Sequence, residues 1–355
     1  MIKRYITIAS MALPGLFAQA QTIEAVSPLS VSGSADAYYK YDLSTFKSAT
    51  GGSNIPTSFA SEQNSISLGM LDLILSKSVG KASFVGDVSF GARGQYQSLP
   101  NGNADAGNMA NSFNIQNLYV KYQFSEAFSM TAGYMGTFVG YEVISPTANI
   151  NYSTSYLFTN GPFQNAGLKA NYTFSSKVGL MVGLFNDWNT YQDHNGVSHI
   201  GAQLSLTPSD KWVAYINVLS GRSAAGAASY GSGTIVDLTT TYKINKTFKI
   251  GLNAADYTLP QNNGGYSGVA IYPQVALSNS FSLGTRGEYF SYKDGVAGSG
   301  SSVVSFTVSG NIRTGALTLI PEVRLDNNSS ATFFKNNLTP AKTASQFSLA
   351  AVYAF

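Results

Sequence analysis

The sequence predicts an all-β fold: a transmembrane, antiparallel, up-and-down β-barrel of about 16 strands, with short periplasmic turns and long extracellular loops. Three observations predict it. Apolar and polar residues alternate with a period of two along most of the chain, as in strands with one lipid-facing and one interior face. Only 11% of the residues are charged, yet no apolar run beyond the N-terminus is long enough for a membrane helix. Short and long connections between the strands also alternate.

The N-terminus has the pattern of a signal peptide. Lys3 and Arg4 precede an apolar run over residues 5–17 and a small-x-small site, Ala18-Gln19-Ala20. The run is shorter than the roughly 17–25 residues of a membrane span. We therefore expect residues 1–20 to be cleaved and residues 21–355 to form a single barrel domain. The chain has no Cys, which excludes a lipoprotein anchor, disulfides and thiol chemistry. Its near-neutral charge gives no indication of nucleic-acid binding.

The first strands show the alternation directly. From Ser30 to Asp42 the even positions are mostly polar, while the odd positions are small, apolar or aromatic. The same pattern recurs over residues 82–93, 117–124 and 317–325. Between residues 66 and 75 the apolar positions change from even to odd after Met70, which predicts a β-bulge.

The number of strands follows from the connections. Seven short polar turns lie at Lys77–Lys81, Ser125–Ala127, Ser175–Lys177, Pro208–Lys211, Asn245–Thr247, Ser278–Ser280 and Arg313–Gly315. Eight longer segments, rich in Gly, Asn, Ser and Asp, are centred near Gly51, Gly102, Asn151, Asn195, Gly226, Asn262, Gly298 and Asn328. Because the two kinds alternate and both chain ends fall on the short-turn side, they predict 16 strands, an even number as in single-chain bacterial barrels.

Aromatic residues near both ends of the strands predict two interfacial girdles. Phe124, Phe128, Phe174, Trp212, Phe248 and Phe281 lie beside short turns. Tyr39, Tyr41, Tyr96, Trp188, Tyr257, Tyr289 and Tyr292 lie beside long loops.

The last strand, Gln346 to Phe355, alternates up to a terminal aromatic residue. In a closed barrel it must pair with the first strand, because an open edge is not tolerated in lipid. We expect Tyr353 and Phe355 to face lipid and to act as an assembly signal that the barrel-assembly machinery reads.

The third long loop, Tyr141–Phe163, differs in composition from the other loops. It combines apolar residues with Glu142 and three Asn, whereas the first loop is rich in Gly, Ser and Thr. Apolar residues would anchor the loop on the inner wall, and its polar residues would line a wet passage. The loop therefore either folds inward or packs outward on its neighbours. For the inward case the predicted constriction residues are Glu142, Asn149, Asn151, Tyr152, Ser153 and Ser155.

The phase of the strands predicts which charges face the lumen, since an Arg or Lys facing lipid at mid-depth costs roughly 2–4 kcal/mol. They are Asp36, Asp87, Arg93, Lys121, Lys169, Lys249, Arg286, Glu288, Glu322 and Arg324. Arg93, Arg286, Glu288 and Arg324 join the predicted pore site, and the three arginines are candidates to oppose Glu142. Such charges either set the selectivity of a pore or form ion pairs that brace the wall.

Enzyme chemistry has little support in the sequence. The only histidines, His194 and His199, lie in the fourth long loop, where we expect them to face solvent. No strained nucleophile turn, calcium loop or phosphate-binding loop is present. The sequence predicts no catalytic residue, no metal site and no cofactor.

Two stretches resemble a known family. They are Gly140-Tyr141-Glu142 with Pro146, Asn149, Asn151-Tyr152-Ser153, Ser155, Pro162-Phe163 and Gly167, and the opening strand from Leu29 to Tyr39. The chain resembles the β-barrel porin-2, OmpL-like family of Gram-negative bacteria. The resemblance spans the mature chain and implies a channel without a defined solute.

We therefore expect an outer-membrane porin, not an enzyme: a passive diffusion channel for small hydrophilic solutes in which the third loop narrows the pore. The alternatives are a substrate-specific channel, for oligosaccharides if Tyr119 and Tyr152 form a stacking path, a barrel enzyme, and a closed structural barrel. The expected partners are outer-membrane lipid, the assembly machinery and the solutes, without nucleic acid, and the sequence is compatible with a homo-oligomer.

Overall fold

A computed structural model describes residues 28–91, 93, 114–295 and 300–355. They form a closed antiparallel barrel in which sixteen long strands each pair with their neighbours around the ring. The strands are β1 Ser30–Asp42, β2 Ser65–Val79, β3 Ala82–Phe90, β4 Asn114–Gln123, β5 Phe128–Gly136, β6 Gln164–Ser175, β7 Val178–Trp188, β8 His199–Ser209, β9 Trp212–Gly221, β10 Gly233–Lys243, β11 Phe248–Thr258, β12 Gly265–Ala276, β13 Phe281–Tyr292, β14 Ser302–Thr314, β15 Leu317–Asn328 and β18 Thr343–Ala354. The predicted fold class and strand number are confirmed.

Three shorter elements lie in the loops. Strands β16 Phe333–Phe334 and β17 Pro340–Ala341 pair with each other as a separate ribbon in the last loop. A helix, α1 Tyr156–Asn160, lies in the third loop, and one 3₁₀ turn covers Pro260–Asn262. These elements were not predicted, because two to five residues are too few to establish a period. No helix among the described residues is long and apolar enough to span a membrane.

The two faces of each strand differ as the alternation predicts, and β15 is the clearest case. Glu322 and Arg324 are buried inside the barrel, whereas Val323 and Leu325 are about half exposed on the outside. An outer face of this kind suits hydrocarbon, and the inner face collects the polar groups.

The barrel closes between its first and last strands. β1 and β18 pair from Ser34 opposite Ala354 to Asp42 opposite Gln346. The backbone N–H groups of Gly33 and Phe355 each donate to the carbonyl oxygen of the other at 3.0 Å, which extends the ladder to the final residue. The side chains of Tyr353 and Phe355 are about half exposed on the outer face, as expected.

The predicted β-bulge is confirmed between β1 and β2. Ala35 lies opposite Leu71 and Ala37 lies opposite Leu68, so two residues of β2 oppose Asp36. The extra residue turns Met70 inward and keeps Leu68 and Leu71 outward, which explains the change of phase in the sequence.

The connections alternate in length, as predicted. Short turns join the strands at one end, and at the other end lie the long loops L1 (43–64), L3 (137–163), L4 (189–198), L5 (222–232), L6 (259–264) and L8 (329–342). Of the remaining two loops, the one predicted near Gly102 falls almost wholly outside the described residues and the one predicted near Gly298 falls partly outside them; the predicted signal peptide and Tyr96 also lie outside them.

The aromatic girdle predicted at the long-loop end is wrong for three residues. Trp188 and Tyr257 are buried, with ring centroids 5.2 Å apart, and Tyr292 packs against the same interior cluster. Their side chains point inward because the loop-end positions of these strands cover an apolar core inside the barrel. Tyr289 is half exposed on the outer face, as the prediction requires.

Candidate functional site

The third long loop, L3, makes its contacts with inward-facing side chains of the wall. Asn151, Tyr152 and Ser155 are each 1–3% exposed, which is the burial of a protein core rather than of a surface loop. The partners of L3 come from strands around much of the ring, including Asp36 on β1, Asp237 on β10 and Glu322 on β15. The inward alternative accounts for these contacts, and the outward one does not.

Two wall carboxylates hold the backbone of L3. Glu322 accepts hydrogen bonds from the backbone N–H groups of Tyr152 and Ser153, at 2.7 and 3.1 Å. Glu288 accepts from those of Tyr156 and Leu157, at 2.9 and 2.8 Å. Loop N–H groups buried away from water need acceptors, and charged acceptors bind them about twice as strongly as neutral ones. Each of these two carboxylates thus binds a pair of neighbouring backbone donors of the loop.

Two wall arginines hold L3 through its oxygens. Arg286 donates to Glu142 Oε1 at 2.6 Å and to the Ser153 carbonyl oxygen at 2.7 Å. Arg324 donates to the Thr154 carbonyl oxygen at 2.7 Å and pairs with Asp326 on its own strand. Both arginines are fully buried. Of the three arginines predicted to oppose Glu142, Arg286 is the one that contacts it.

Glu142 also joins the first part of L3 to the start of helix α1. Besides its pairing with Arg286, this carboxylate accepts from the backbone N–H and the hydroxyl of Ser155, at 2.7 and 2.8 Å. Ser155 is the N-cap of α1, and its hydroxyl oxygen accepts from the N–H of Phe158. A capping serine and a carboxylate thirteen positions earlier thus fix where the helix begins.

Arg93 lies between two aromatic rings at the other side of L3. Its guanidinium is 4.6 Å from the ring centroid of Phe59, on L1, and 4.6 Å from that of Tyr152. Tyr152 also donates its hydroxyl hydrogen to Asp36, and Asp36 lies 3.7 Å from Arg93. This stack ties L1 and L3 to β1, with the cation held by two rings as well as by a carboxylate.

An apolar core fills the space between L3 and strands β7 to β14. Leu157 and Val139 of the loop join Phe185, Tyr266 and Phe290 of the wall in one buried cluster. Burial raises the pKa of Tyr141, Tyr152 and Tyr156 above the ordinary value of a phenol, because desolvation disfavours the phenolate. These tyrosines therefore act as neutral hydrogen-bonding groups.

Glycines in the wall make room for this packing. A Cβ atom at Gly251 would lie 2.2 Å from the hydroxyl oxygen of Tyr141, and one at Gly284 would lie 2.1 Å from Cγ1 of Ile150. Real Cβ atoms do not approach other atoms so closely. The two glycines thus mark places where the loop meets the wall backbone.

On the side of β2 to β6 the interior is open. A cavity of about 210 Å³ lies between L3 and this wall, lined among others by Asp72, Asp87 and Glu142. A wider cavity of about 560 Å³, lined by Tyr119, Lys121 and Lys169, follows toward the short turns. Asn117, Gly136 and Thr137 line both cavities, so the two adjoin.

Most of the predicted site residues come together around L3. Glu142, Asn151, Tyr152, Ser153, Ser155, Arg93, Arg286, Glu288 and Arg324 all belong to the contacts described above. Asn149 instead bonds within the loop, to the backbone N–H and carbonyl of Val143, at 3.1 and 2.6 Å.

The sequence-based prediction missed several wall carboxylates, among them Asp72, Asp237 and Asp326, which accepts from the hydroxyl of Tyr156. Asp72 follows the β-bulge, where the strand phase changes. Asp237 accepts from the N–H of Gly140 and from the side chains of Asn217 and Asn253. The alternation of β10 contains the signal for Asp237, which shares its face with Thr239 and Thr241.

The expectation that both histidines face solvent is wrong for His199. It begins β8, is buried, and contacts the hydroxyl of Ser198 through Nδ1, with Asp187 at 3.9 Å. His194 is exposed, as expected. Within the described ranges no group of three His, Cys, Asp or Glu residues is placed to hold a metal ion.

Comparison with known proteins agrees with this architecture. The profile of the family described as "Putative beta-barrel porin-2, OmpL-like" matches residues 28–355. No curated protein matches the chain.

Several solved structures share the fold. The outer-membrane channel DcaP of Acinetobacter baumannii superposes with a TM-score of 0.59 at 13% identity, over 92% of this chain and 97% of that one. The anion-selective porin from Comamonas acidovorans gives 0.59 at 11% identity, over 92% and 99%. The trimer form of OmpT of Vibrio cholerae gives 0.57 at 11% identity, over 92% and 99%. At these identities the likeness establishes the fold.

Proposed function

Because the chain belongs to the β-barrel porin-2, OmpL-like family, we propose that it is an outer-membrane diffusion channel for small hydrophilic solutes whose third loop narrows the passage. The observation that carries the proposal is the pair of adjoining cavities between L3 and strands β2 to β6. Glu288, Glu322, Arg286 and Arg324 bind the loop to strands β13 and β15, and the adjoining cavities lie on the opposite side.

The proposed passage runs along β2 to β6. Its narrow part carries Asp72 and Asp87 on the wall, and its wider part carries Lys121 and Lys169. Carboxylates at the narrow part and ammonium groups beyond it give a wet path of mixed charge, which suits small polar solutes of either sign better than one particular ligand.

The substrate-specific channel has less support. It needs Tyr119 and Tyr152 as an exposed stacking path, and Tyr152 is 1% exposed and stacked on Arg93. Only Tyr119 of the pair lines a cavity.

Residues 1–20 direct export and are removed, and the assembly machinery reads Phe355 and Tyr353, whose rings are presented on the outer face. The short turns then lie on the periplasmic side, and the long loops face the exterior. The mechanism is the same for a single barrel and for a homo-oligomer, because the passage lies within one chain.

The test is electrical. The purified protein in a planar bilayer should give discrete conductance steps, and liposomes that contain it should swell in small neutral sugars. The reversal potential in a salt gradient should show weak selectivity. A correctly folded barrel that gives neither steps nor swelling would refute the channel, and swelling in one oligosaccharide alone would favour the substrate-specific alternative.

A further inference from the structure

A second concave site lies on the outer surface of the barrel, at the long-loop end. The ribbon of β16 and β17 in L8 stands over the outer faces of β14, β15 and β18 and encloses a groove of about 720 Å³. The floor of the groove is formed by Val304, Phe306 and Leu325, each about half exposed. By strand phase these residues face lipid, so the groove opens to the membrane.

The groove is preformed, because the ribbon is fixed at both of its sides. Asn54 on L1 accepts from the N–H of Phe334 at 2.7 Å and donates to its carbonyl oxygen at 2.8 Å. The ring of Phe334 stacks on that of Phe46 at 5.5 Å. Phe333, on the other face, is buried with Ile55 and Ala344. No rearrangement of the ribbon is needed to keep the groove open.

Three lysines lie on or near the rim of the groove. Lys335 lines it, Lys342 is next in sequence to the lining residues Ala341 and Thr343, and Lys47 follows Phe46, whose ring stacks on Phe334. All three lysines are exposed, and none of them belongs to a salt bridge among the described residues. L8 contains no acidic residue.

The nearby carboxylates do not neutralise this rim. Asp326 is fully buried against Arg324, and it also accepts from Ser305 and Tyr156. Asp42 is buried and accepts from Ser44 and from the N–H of Asn54. Both carboxylates are buried and already have partners.

We propose that this groove binds a phosphorylated lipid of the outer leaflet, with an acyl chain on the Val304–Phe306–Leu325 floor and the phosphate at the lysines of L8 and L1. The apolar floor opens to the membrane and suits the acyl chain of an anionic lipid, and the lysines without salt-bridge partners suit its phosphate. A second copy of the chain fits less well, because a two-fold contact through this face would set lysines against lysines. The choice of leaflet rests on the proposed orientation in the outer membrane.

The first experiment titrates the detergent-solubilised full barrel with lipid and counts bound lipids by native mass spectrometry. The probes are bis-phosphorylated lipid A, the same lipid without phosphates, and phosphatidylcholine. One bis-phosphorylated lipid should bind on the order of tenfold more tightly than either of the others, since each lysine near a membrane surface adds several-fold to anionic-lipid affinity. Equal affinity for the three lipids would overturn the proposal.

Variants locate the site. Lys335→Gln combined with Lys342→Gln should weaken binding of the bis-phosphorylated lipid on the order of tenfold. Thr343→Trp, which fills the groove and keeps the lysines, should weaken it as well. Arg222→Gln is the matched control: it removes an exposed cation from L5, outside the groove, and should not change lipid binding. Loss in Arg222→Gln equal to that in the lysine variant would show charge attraction without a site.

Two further outcomes separate other occupants. Inorganic phosphate at millimolar concentration should not displace the lipid, because it lacks the acyl chain; displacement would mean a free-phosphate site. Dimers that form without lipid and disappear in Thr343→Trp would identify a second copy as the occupant. Conductance measured on the same variants should stay unchanged, so that failure of the lipid site is distinct from failure of the channel.

Discussion

At the scale of single residues, the charges of the interior are arranged as attachments for L3. Arg286 and Glu142 meet across 144 positions of sequence, and Glu322 binds loop N–H groups 170 and 169 positions away. Removing one partner of such a buried pair leaves an uncompensated charge, at a cost of about 3–5 kcal/mol. Of the charges predicted from strand phase, Glu288, Glu322, Arg286 and Arg324 thus brace the loop.

Glu142→Gln tests the electrical role of this pair. The substitution keeps an oxygen that can accept from Ser155, but it removes a negative charge from the lining of the narrow cavity and leaves Arg286 without this partner. We expect the reversal potential in a salt gradient to shift toward anions at about 0.1 M salt and much less at about 1 M, because the screening length falls from about 10 to about 3 Å. Asp256→Asn is the control: it removes a half-exposed carboxylate near the long-loop end of β11 and should change the reversal potential little. A shift of the same size in both variants, or one that persists at high salt, would argue against a local effect of Arg286.

Gly284→Ala tests the contact between loop and wall. The new Cβ would lie 2.1 Å from Cγ1 of Ile150, so the loop must move. We expect the free energy of unfolding in urea to fall by about 1–3 kcal/mol, the usual cost of overpacking. Ile150→Ala in the same chain should restore most of the loss.

Gly287→Ala is the control on the same strand, because its nearest neighbour would lie 3.7 Å away, an ordinary contact distance. If the two alanine variants lose equal stability, or if Ile150→Ala fails to rescue the first, Ile150 does not occupy the position that we describe.

At the scale of elements, we propose that the width of the passage depends on L3. Deletion of residues 145–159 should raise single-channel conductance, because a loop that occupies the interior is gone while the wall is unchanged. Deletion of residues 336–338, at the tip of the ribbon in L8, is the matched control and should leave conductance as it was. Equal conductance with and without residues 145–159 would place the loop outside the conducting path.

The closing strand is the second element with a testable role. Phe355 exchanges two backbone hydrogen bonds with Gly33 and presents its ring on the outer face. Deleting Phe355 should lower the yield of folded barrel in the outer membrane, measured by the different gel mobility of unboiled and boiled protein. Phe355→Tyr should retain the yield. Normal folded yield after the deletion would remove the terminal residue from the assembly signal.

The elements also show which parts of the structure the sequence can predict. The strands, the alternation of connections and the bulge near Met70 follow from local periodicity, since two-fold alternation is a property of neighbouring residues. Helix α1 has five residues and each strand of the ribbon has two, which is too short for a helical or strand period to be detected in the sequence. Trp188 and Tyr257 were assigned to a girdle because aromatic residues near strand ends are ambiguous: only the packing decides whether they face lipid or the interior.

The sequence predicted which residues belong to the candidate site better than it predicted the contacts between them. Strand phase identified Arg286, Glu288 and Arg324 as inward-facing, and the composition of L3 identified Glu142 and Tyr152. Phase says nothing about which of three arginines meets Glu142, because the pairing depends on the path of a loop across the ring. Asp72 was missed because the alternation of inward and outward residues shifts at the bulge that precedes it.

At the scale of the whole molecule, the interior has two unlike halves. Strands β7 to β14 surround the apolar core, and β13 and β15 hold L3, with a cavity of about 270 Å³ between residues 146–150 and the wall toward the short turns. Strands β2 to β6 border the two adjoining cavities. We propose that solutes and ions pass along the second half. The chain contains no Cys, so a single introduced thiol can be modified without background.

The most direct measurement is therefore the block of single-channel conductance by a bulky thiol reagent at chosen positions. Asn117 lines both cavities, and Ser309 is buried behind L3, where it bonds to Asn151 and Glu322. Modification of Asn117→Cys should remove most of the conductance, and the same treatment of Ser309→Cys should leave it unchanged. Block at Ser309→Cys with none at Asn117→Cys would place the passage on the other side of the loop and contradict the account.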